Sequence, residues 1–353
     1  MATPKIQGAY TALVTPFKDN GDVDWDGLKR NVEFQLREGI SGLLPTGTTG
    51  ESPTLDWAEH EKVIARTAKL AGGKCPVVAG TGSNSTQEAV EATKHIEKMG
   101  VDGALLVDCY YNGPSSSELR RNYHAVVAEA CPNIGIVPYV IPSRTTTALS
   151  PEDLAILANE YPNVVAVKEA TGDLERMART RALVGSDFCM MSGDDGLTFE
   201  MMTRPDIAAS GVISVVSNIV PRAVEAMTSK ALSGDIEAAE KIRQALDPLF
   251  EVVTVSVENP RTLPSGKQTT VSDKFRNPLP IKVLMNAFGM PAGPCRKPLG
   301  TMTQNAVDIV RQAARKSWEI DPGIFEPVAN AYEVNIEERL SNDKYWDALA
   351  DDR

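Results

Sequence analysis

The sequence predicts a (β/α)8 barrel followed by additional C-terminal helices. Eight short apolar, β-branched runs are separated by segments of helical period, and no block consists of strands alone. The runs begin near residues 8, 41, 76, 103, 134, 163, 188 and 211, at intervals of 23 to 35 residues, which fits one strand and one helix per unit. A doubly wound open sheet shares this pattern and stands as the alternative architecture.

In chain order the runs read GAYTALVTPF, SGLLPTG, PVVAG, GALLVD, IGIVPY, VVAVKE, FCMMSGD and GVISVV. Such continuous apolar stretches are expected of parallel strands covered on both faces. In the first intervening segment Trp25, Leu28, Val32 and Leu36 fall on one helical stripe. Ser85-x-x-Glu88 predicts a capping box, Ser150-Pro151 sets a cap before a proline at the first helical position, and Gly39, Gly72, Gly100 and Gly185 mark helix ends. After residue 217 the segments 218–232, 235–252, 279–288 and 301–316 read as helices, whereas the polar, turn-rich 258–278 reads as a long exposed loop. The organisation expected is a barrel over 1–232, a helical region over 233–317 carrying the 258–278 insertion, and an acidic extension over 318–353. That extension has ten acidic and three basic residues, but Ile324, Phe325, Val328, Tyr332, Ile336, Leu340 and Trp346 predict that it docks.

Composition narrows the function. The 353 residues hold 36 Lys and Arg against 47 Asp and Glu, and a net charge of −11 repels polyphosphate, so neither nucleic acid nor an anionic membrane is an expected partner. Cys75, Cys109, Cys131, Cys189 and Cys295 are scattered without a C-x-x-C pair, which predicts reduced thiols in a cytosol-like compartment. His60, His95 and His124 lie on separate helical segments, which argues against a metal centre. With no apolar signal core and no run of 18 apolar residues, a cytoplasmic protein is expected.

In a barrel of this kind chemistry sits at the C-terminal ends of the strands. Lys168 closes the run Val164-Val165-Ala166-Val167, which sets an amine at the mouth of an apolar bundle. Only the neutral amine attacks a carbonyl, and an unshifted lysine is neutral in about one molecule in 2,500 at pH 7. Partial burial raises that fraction and suits Schiff-base chemistry. Taken alone, a strand-end lysine is more often snorkelling or ion-paired. Gly47-Thr48-Thr49-Gly50 offers hydroxyls and backbone N–H groups in one tight turn, a cradle for a small carboxylate or simply a capped turn. Tyr139 ends the neighbouring strand and can relay protons, or merely pack. Arg144, in a proline-stiffened loop, can clamp a second carboxylate or lie idle on the surface.

Together, Gly47-Thr-Thr-Gly-Glu-Ser, Tyr110-Tyr-Asn, Val167-Lys-Glu-Ala-Thr-Gly-Asp, Ser192-Gly-Asp-Asp and Gly211-Val-Ile-Ser resemble the pyruvate-dependent class I aldolases, the family of dihydrodipicolinate synthase and N-acetylneuraminate lyase. The resemblance runs from about residue 6 to about 316, excluding 258–278, and Thr48-Thr49 with Pro142-Ser143-Arg144 looks like the synthase branch. It implies a class I condensation of pyruvate with L-aspartate 4-semialdehyde, giving 4-hydroxy-tetrahydrodipicolinate for diaminopimelate and lysine synthesis, with no metal or organic cofactor. Lys168 would form the imine and Tyr139, Thr48 and Tyr111 would move protons, Tyr111 across a dimer interface of a homotetramer. Thr49, Arg144, Gly193 and Ile213 would bind substrate. Ser52, His60, Asn84, Glu88 and Tyr110 would form an allosteric site for L-lysine, with Trp57 over its alkyl stem. Val140 stands where the synthase usually has asparagine, Thr146 where a glycine commonly follows Arg-Thr, and the 258–278 loop and 318–353 tail are additional. Those departures leave open a sister aldolase or lyase acting on a 2-keto-3-deoxy sugar acid or 4-hydroxy-2-oxoglutarate. A rival of another class is a catalytically silent ligand-binding barrel, which would be expected to lack the lysine or the tyrosine.

Overall fold

A computed structural model describes residues 5–351. The eight apolar runs become parallel strands: β1 (Gly8–Ala12), β2 (Gly42–Leu44), β3 (Val78–Gly80), β4 (Gly103–Val107), β5 (Gly135–Val140), β6 (Ala166–Glu169), β7 (Cys189–Ser192) and β8 (Gly211–Ser214). They follow one another round a ring, β2-β1-β8-β7-β6-β5-β4-β3. The ring closes where Leu43 bridges Val77 and the Gly80 N–H donates to the Pro45 carbonyl at 3.0–3.1 Å, alongside Leu43 to Pro76. The open-sheet alternative is thereby removed.

Alternation along each strand sorts the side chains into two cores. Tyr10, Leu44, Val78, Leu105, Val137, Tyr139, Ala166, Met191 and Ile213 fill the barrel interior. Leu43, Ala104, Leu106, Ile136, Val140, Val167, Met190 and Val212 face outward into the helical layer. The helix Trp25–Arg37 starts at Asp24, which accepts from the Gly27 N–H at 3.0 Å, and buries Leu28 and Val32. Ser150 caps Pro151–Glu160 through the Asp153 N–H at 3.1 Å. The Ser85 box forms only by half. Ser85 Oγ accepts from the Glu88 N–H, but the Glu88 carboxylate turns to Ser83 Oγ at 2.6 Å, and the Ser85 N–H goes to Ser83 Oγ instead.

Helices Pro221–Leu232, Ile236–Glu251, Leu279–Ala287 and Gln304–Ile320 lie close to the predicted segments. The 258–278 loop does not exist as such. Its residues belong to an antiparallel hairpin, β9 (Thr254–Thr262) and β10 (Gln268–Arg276), paired from Thr254↔Arg276 to Thr262↔Gln268. Val255, Val257 and Asn259 face inward along β9, and the turn closes where the Leu263 N–H reaches the Lys267 carbonyl at 2.9 Å. The extension docks on its own chain: all seven apolar residues singled out in it are buried. Tyr332 donates to Asn31 Oδ1 at 3.0 Å and packs edge-on to Phe34, Phe325 meets Phe288, and the Trp346 indole N–H donates to the Arg339 carbonyl at 2.7 Å. Among the described residues no helix is long and apolar enough to cross a membrane.

Candidate active site

Lys168 points inward near the C-terminal end of β6, because Ala166 takes the interior and Val167 the exterior on the preceding positions. It pairs in register with Tyr139 on β5, and its ammonium lies 4.3 Å from the centre of the Tyr139 ring. Burial pushes the Lys168 amine down to about 8; the carboxylate of Asp195 opposes that shift and the Arg144 guanidinium adds to it. Gly193 leaves the room the lysine uses, since a Cβ there would stand 3.0 Å from Lys168 Cε and 2.8 Å from Ala170 Cβ. Ile213 closes the interior on β8 and is 1 % exposed.

The Tyr139 hydroxyl is hydrogen-bonded to Thr48, and burial pushes its phenol up to about 12. Such a group holds its proton at neutral pH and can pass it only along a chain of hydroxyls. Thr49, beside it in the turn, is buried, and its Oγ1 accepts from Asn277 Nδ2 at 2.9 Å. Arg144, on the short helix Pro142–Thr145, donates from Nη2 to the carbonyl of the same Asn277 at 3.1 Å.

The turn carrying Thr48 and Thr49 is fixed from behind. Glu51, held at φ 55°, meets Lys282 at 2.6 Å with both side chains 1 % exposed, and its second oxygen accepts from the Arg296 N–H at 2.8 Å. Lys282 also donates to the Pro294 carbonyl at 2.9 Å and lies over the Phe17 ring. Sequence reasoning passed over this lysine, although a single cation inside the apolar helix Leu279–Ala287 is itself a sign of a buried ion pair. Asp195, quoted only as part of a motif, is likewise structural and electrostatic at once. Its Oδ2 accepts from the Val215 and Val216 N–H groups at 2.8 and 3.2 Å, its carboxylate is also hydrogen-bonded to the Ser214 side chain, and burial lifts its carboxyl to about 6. Asn277 was missed outright, because nothing local marks a residue that acts on a threonine 228 positions away.

A cavity of about 420 Å3 opens over Tyr139 and is lined by Thr48 and Arg144 together with Ser52, Trp57, His60, Glu88 and Tyr110. Of the residues expected to form two sites, Thr48, Tyr139 and Arg144 of the first and Ser52, His60, Glu88 and Tyr110 of the second therefore face one space, whereas Lys168, Thr49, Gly193 and Ile213 do not line it. Ser52 Oγ lies 3.1 Å from His60 Nε2; burial holds this imidazole neutral, at about 4, and its Nδ1 has no partner among the described residues. Asn84 is exposed and does not line the cavity, but its backbone N–H bonds the Tyr110 hydroxyl. Tyr111 is not brought to Tyr139 within one chain: it stands at φ 75° and is 88 % exposed. Val140, the departure from the synthase pattern, faces the outer helical layer and removes no group from the cavity.

Comparison with known proteins matches the Dihydrodipicolinate synthetase family over residues 5–270. The chain is 40% identical over 300 residues to the 4-hydroxy-tetrahydrodipicolinate synthase of Methanococcus maripaludis, a match covering 85% of this chain and 94% of that one. Among solved structures it resembles the 4-hydroxy-tetrahydrodipicolinate synthase of Methylacidiphilum fumariolicum SolV, at TM-score 0.81 and 34% identity over 92% of this chain and 99% of that one. It also resembles DHDPS from Cyanidioschyzon merolae with lysine bound, at TM-score 0.78 and 35% identity over 88% and 98%.

Proposed function

The chain belongs to the dihydrodipicolinate synthetase family, and from that premise we propose how its own residues carry the family's reaction. The protein is a pyruvate-dependent class I lyase: it condenses pyruvate with L-aspartate 4-semialdehyde to 4-hydroxy-tetrahydrodipicolinate, on the route to diaminopimelate and lysine. The observation that carries the assignment of roles is a buried, depressed lysine amine stacked over a tyrosine that is hydrogen-bonded to a threonine.

Neutral Lys168 adds to the pyruvate ketone, the carbinolamine loses water, and a protonated imine results. Tyr139 and Thr48 carry the protons this requires, giving one to the departing hydroxyl and recovering it from solvent along the hydroxyl chain. Loss of a methyl proton to the hydroxyl relay gives the enamine, whose carbon attacks the aldehyde while the aldehyde oxygen takes a proton back from the relay; the semialdehyde's amino group then adds to the imine carbon and expels the Lys168 amine, closing the ring. Thr49 seats the pyruvate carboxylate, Gly193 and Ile213 shape the wall around it, and Arg144 at the mouth takes the carboxylate of the semialdehyde. Tyr111 completes the relay from a neighbouring subunit of a homotetramer; its left-handed φ and 88 % exposure in the single chain support that reading. A cytoplasmic setting fits the five unpaired cysteines, four of them buried. Borohydride added with pyruvate tests the scheme: a reduced pyruvyl mass on the peptide containing Lys168 is expected, and labelling elsewhere overturns it.

L-lysine is proposed as an effector bound by Ser52, His60, Asn84, Glu88 and Tyr110. A cationic amino acid needs a carboxylate for its amine and neutral donors for its own carboxylate. Because the capping box is only half formed, the Glu88 carboxylate faces Ser83 and Tyr110 rather than its helix end. Trp57, 5.3 Å from the His60 ring and 44 % exposed, can cover an alkyl stem. Initial rates should fall with millimolar L-lysine in the parent protein and much less in Glu88→Ala; equal inhibition of both removes the claim.

A further inference from the structure

The hairpin β9–β10 lies outside the barrel, and the family match ends within it, at residue 270. Yet the first residue after β10, Asn277, makes two contacts with the groups assigned above to substrate carboxylates. Its side chain donates through Nδ2 to Thr49 Oγ1 at 2.9 Å, and its backbone carbonyl accepts from Arg144 Nη2 at 3.1 Å. The residue is buried, 8 % exposed, and its Oδ1 has no partner among the described residues. Register fixes where it sits: Arg276 pairs with Thr254 and Phe275 with Val255, and Val255 and Val257 anchor β9 in the core.

A threonine hydroxyl has one proton to give and two lone pairs to receive. When Asn277 donates to Thr49, it occupies a lone pair and leaves the hydroxyl proton free for an anionic oxygen. Without that donor, the Thr49 hydroxyl can rotate and spend its proton on a backbone carbonyl or on water. The carbonyl of Asn277, meanwhile, draws Arg144 toward the same side of the mouth. One residue thus orients the donor for each of two carboxylates, by two different atoms.

We infer that Asn277 is a positioning residue, delivered by the β9–β10 hairpin, whose side chain orients Thr49 for the pyruvate carboxylate while its backbone carbonyl holds Arg144 for the second substrate. This rests on the roles given to Lys168, Thr49 and Arg144 above. Because the two arms use different atoms, truncating the side chain separates them: Asn277→Ala removes the arm to Thr49 and retains the carbonyl.

The test measures borohydride trapping at Lys168 against pyruvate concentration, together with steady-state kinetics for both substrates, in the full-length chain. In Asn277→Ala the pyruvate concentration for half-maximal trapping should rise about tenfold, the order expected for one lost hydrogen bond to an anion-binding donor. Trapping at saturation should remain complete, and KM for the semialdehyde should change less than about twofold. In a Thr49→Val background the same substitution should add nothing to the pyruvate requirement, since the group it acts through is gone. Asn277→Ser, which keeps a small polar side chain, provides the same comparison if the alanine variant melts early. An unchanged pyruvate requirement, an equal rise in both substrate constants, or a full effect persisting beside Thr49→Val each overturns the inference while Lys168 remains labelled. Failure of the parent protein to label Lys168 would instead overturn the mechanism on which it rests.

Discussion

At the scale of single residues, the site depends on what burial does to Lys168. With its amine at about 8, roughly one molecule in ten is neutral at pH 7, against about one in 2,500 for an unshifted lysine. The sign follows directly: the folded-state value lies below the unfolded one, so the ammonium is disfavoured in the fold, and the cost is fully present below pH 8 and fades toward about 10.4. That cost is about 3 kcal/mol at neutral pH, and the rest of the barrel must bear it. Trapping with pyruvate below saturation should therefore rise nearly tenfold between pH 6 and pH 7 and level off above 8; a flat profile across that range would mean the amine is not the group being titrated. This part of the site was legible, because a lysine ending an apolar run must face either the barrel mouth or the helices, and strand alternation decides which. The same alternation settles Val140, which sequence alone left as a doubt about substrate and which faces the outer layer. Asn277 and Lys282 were not legible as partners, since each acts on the Gly47–Ser52 turn from more than 200 residues away.

At the scale of elements, the eight strands and most helices were readable because each carries its own periodicity and punctuation. The β9–β10 hairpin was misread as a loop for a physical reason: only one face of β9 is buried, so the pattern is mostly polar, and Pro260 and the 264–266 turn look like loop residues. Pro260 is tolerated because a two-stranded ribbon has free edges. The Ser85 cap was mistaken in its partner because Ser83, two residues upstream, offers Glu88 a hydroxyl at 2.6 Å. The short helix Pro142–Thr145, which presents Arg144, ends on Thr146 at φ 62°, in the left-handed region. A β-branched residue there is strained by about 1–2 kcal/mol, whereas glycine adopts it freely. Thr146→Gly should stabilise the protein by about 0.5–1 kcal/mol, after the entropy that glycine adds to the unfolded chain. A thermal melt shifted upward by about 1–3 °C is the expected result; a downward shift would mean that the Thr146 hydroxyl bond to the Thr145 carbonyl at 2.6 Å outweighs the strain.

At the scale of the molecule, the acidic extension is part of the core although it carries ten acidic residues against three basic ones. Charge alone would leave it solvated. What overrides charge is the placement of its large apolar groups against surfaces that need covering: Tyr332 against Phe34 and Asn31 on the first barrel helix, Phe325 against Phe288, and Trp346 beneath Arg311. Arg311 and Arg315 donate to the Leu340 carbonyl at 2.8–3.0 Å, and Asp343 pairs with Arg311 at 2.6 Å, so the extension also satisfies cations on the helix Gln304–Ile320. Removing residues 321–353 would uncover Phe34, Phe288 and Arg311 together, and uncovering each large apolar side chain costs about 1.5–3 kcal/mol. Part of that cost is returned as chain entropy regained by the removed residues, so a fall in Tm of roughly 5 °C is expected. None of these contacts lies on the cavity over Tyr139. The shortened chain should therefore melt earlier while still trapping pyruvate on Lys168 at temperatures where it remains folded. An unchanged melting curve would show that the extension's packing contributes no net stability, and loss of trapping in the folded protein would show that it supports the site through the first helix.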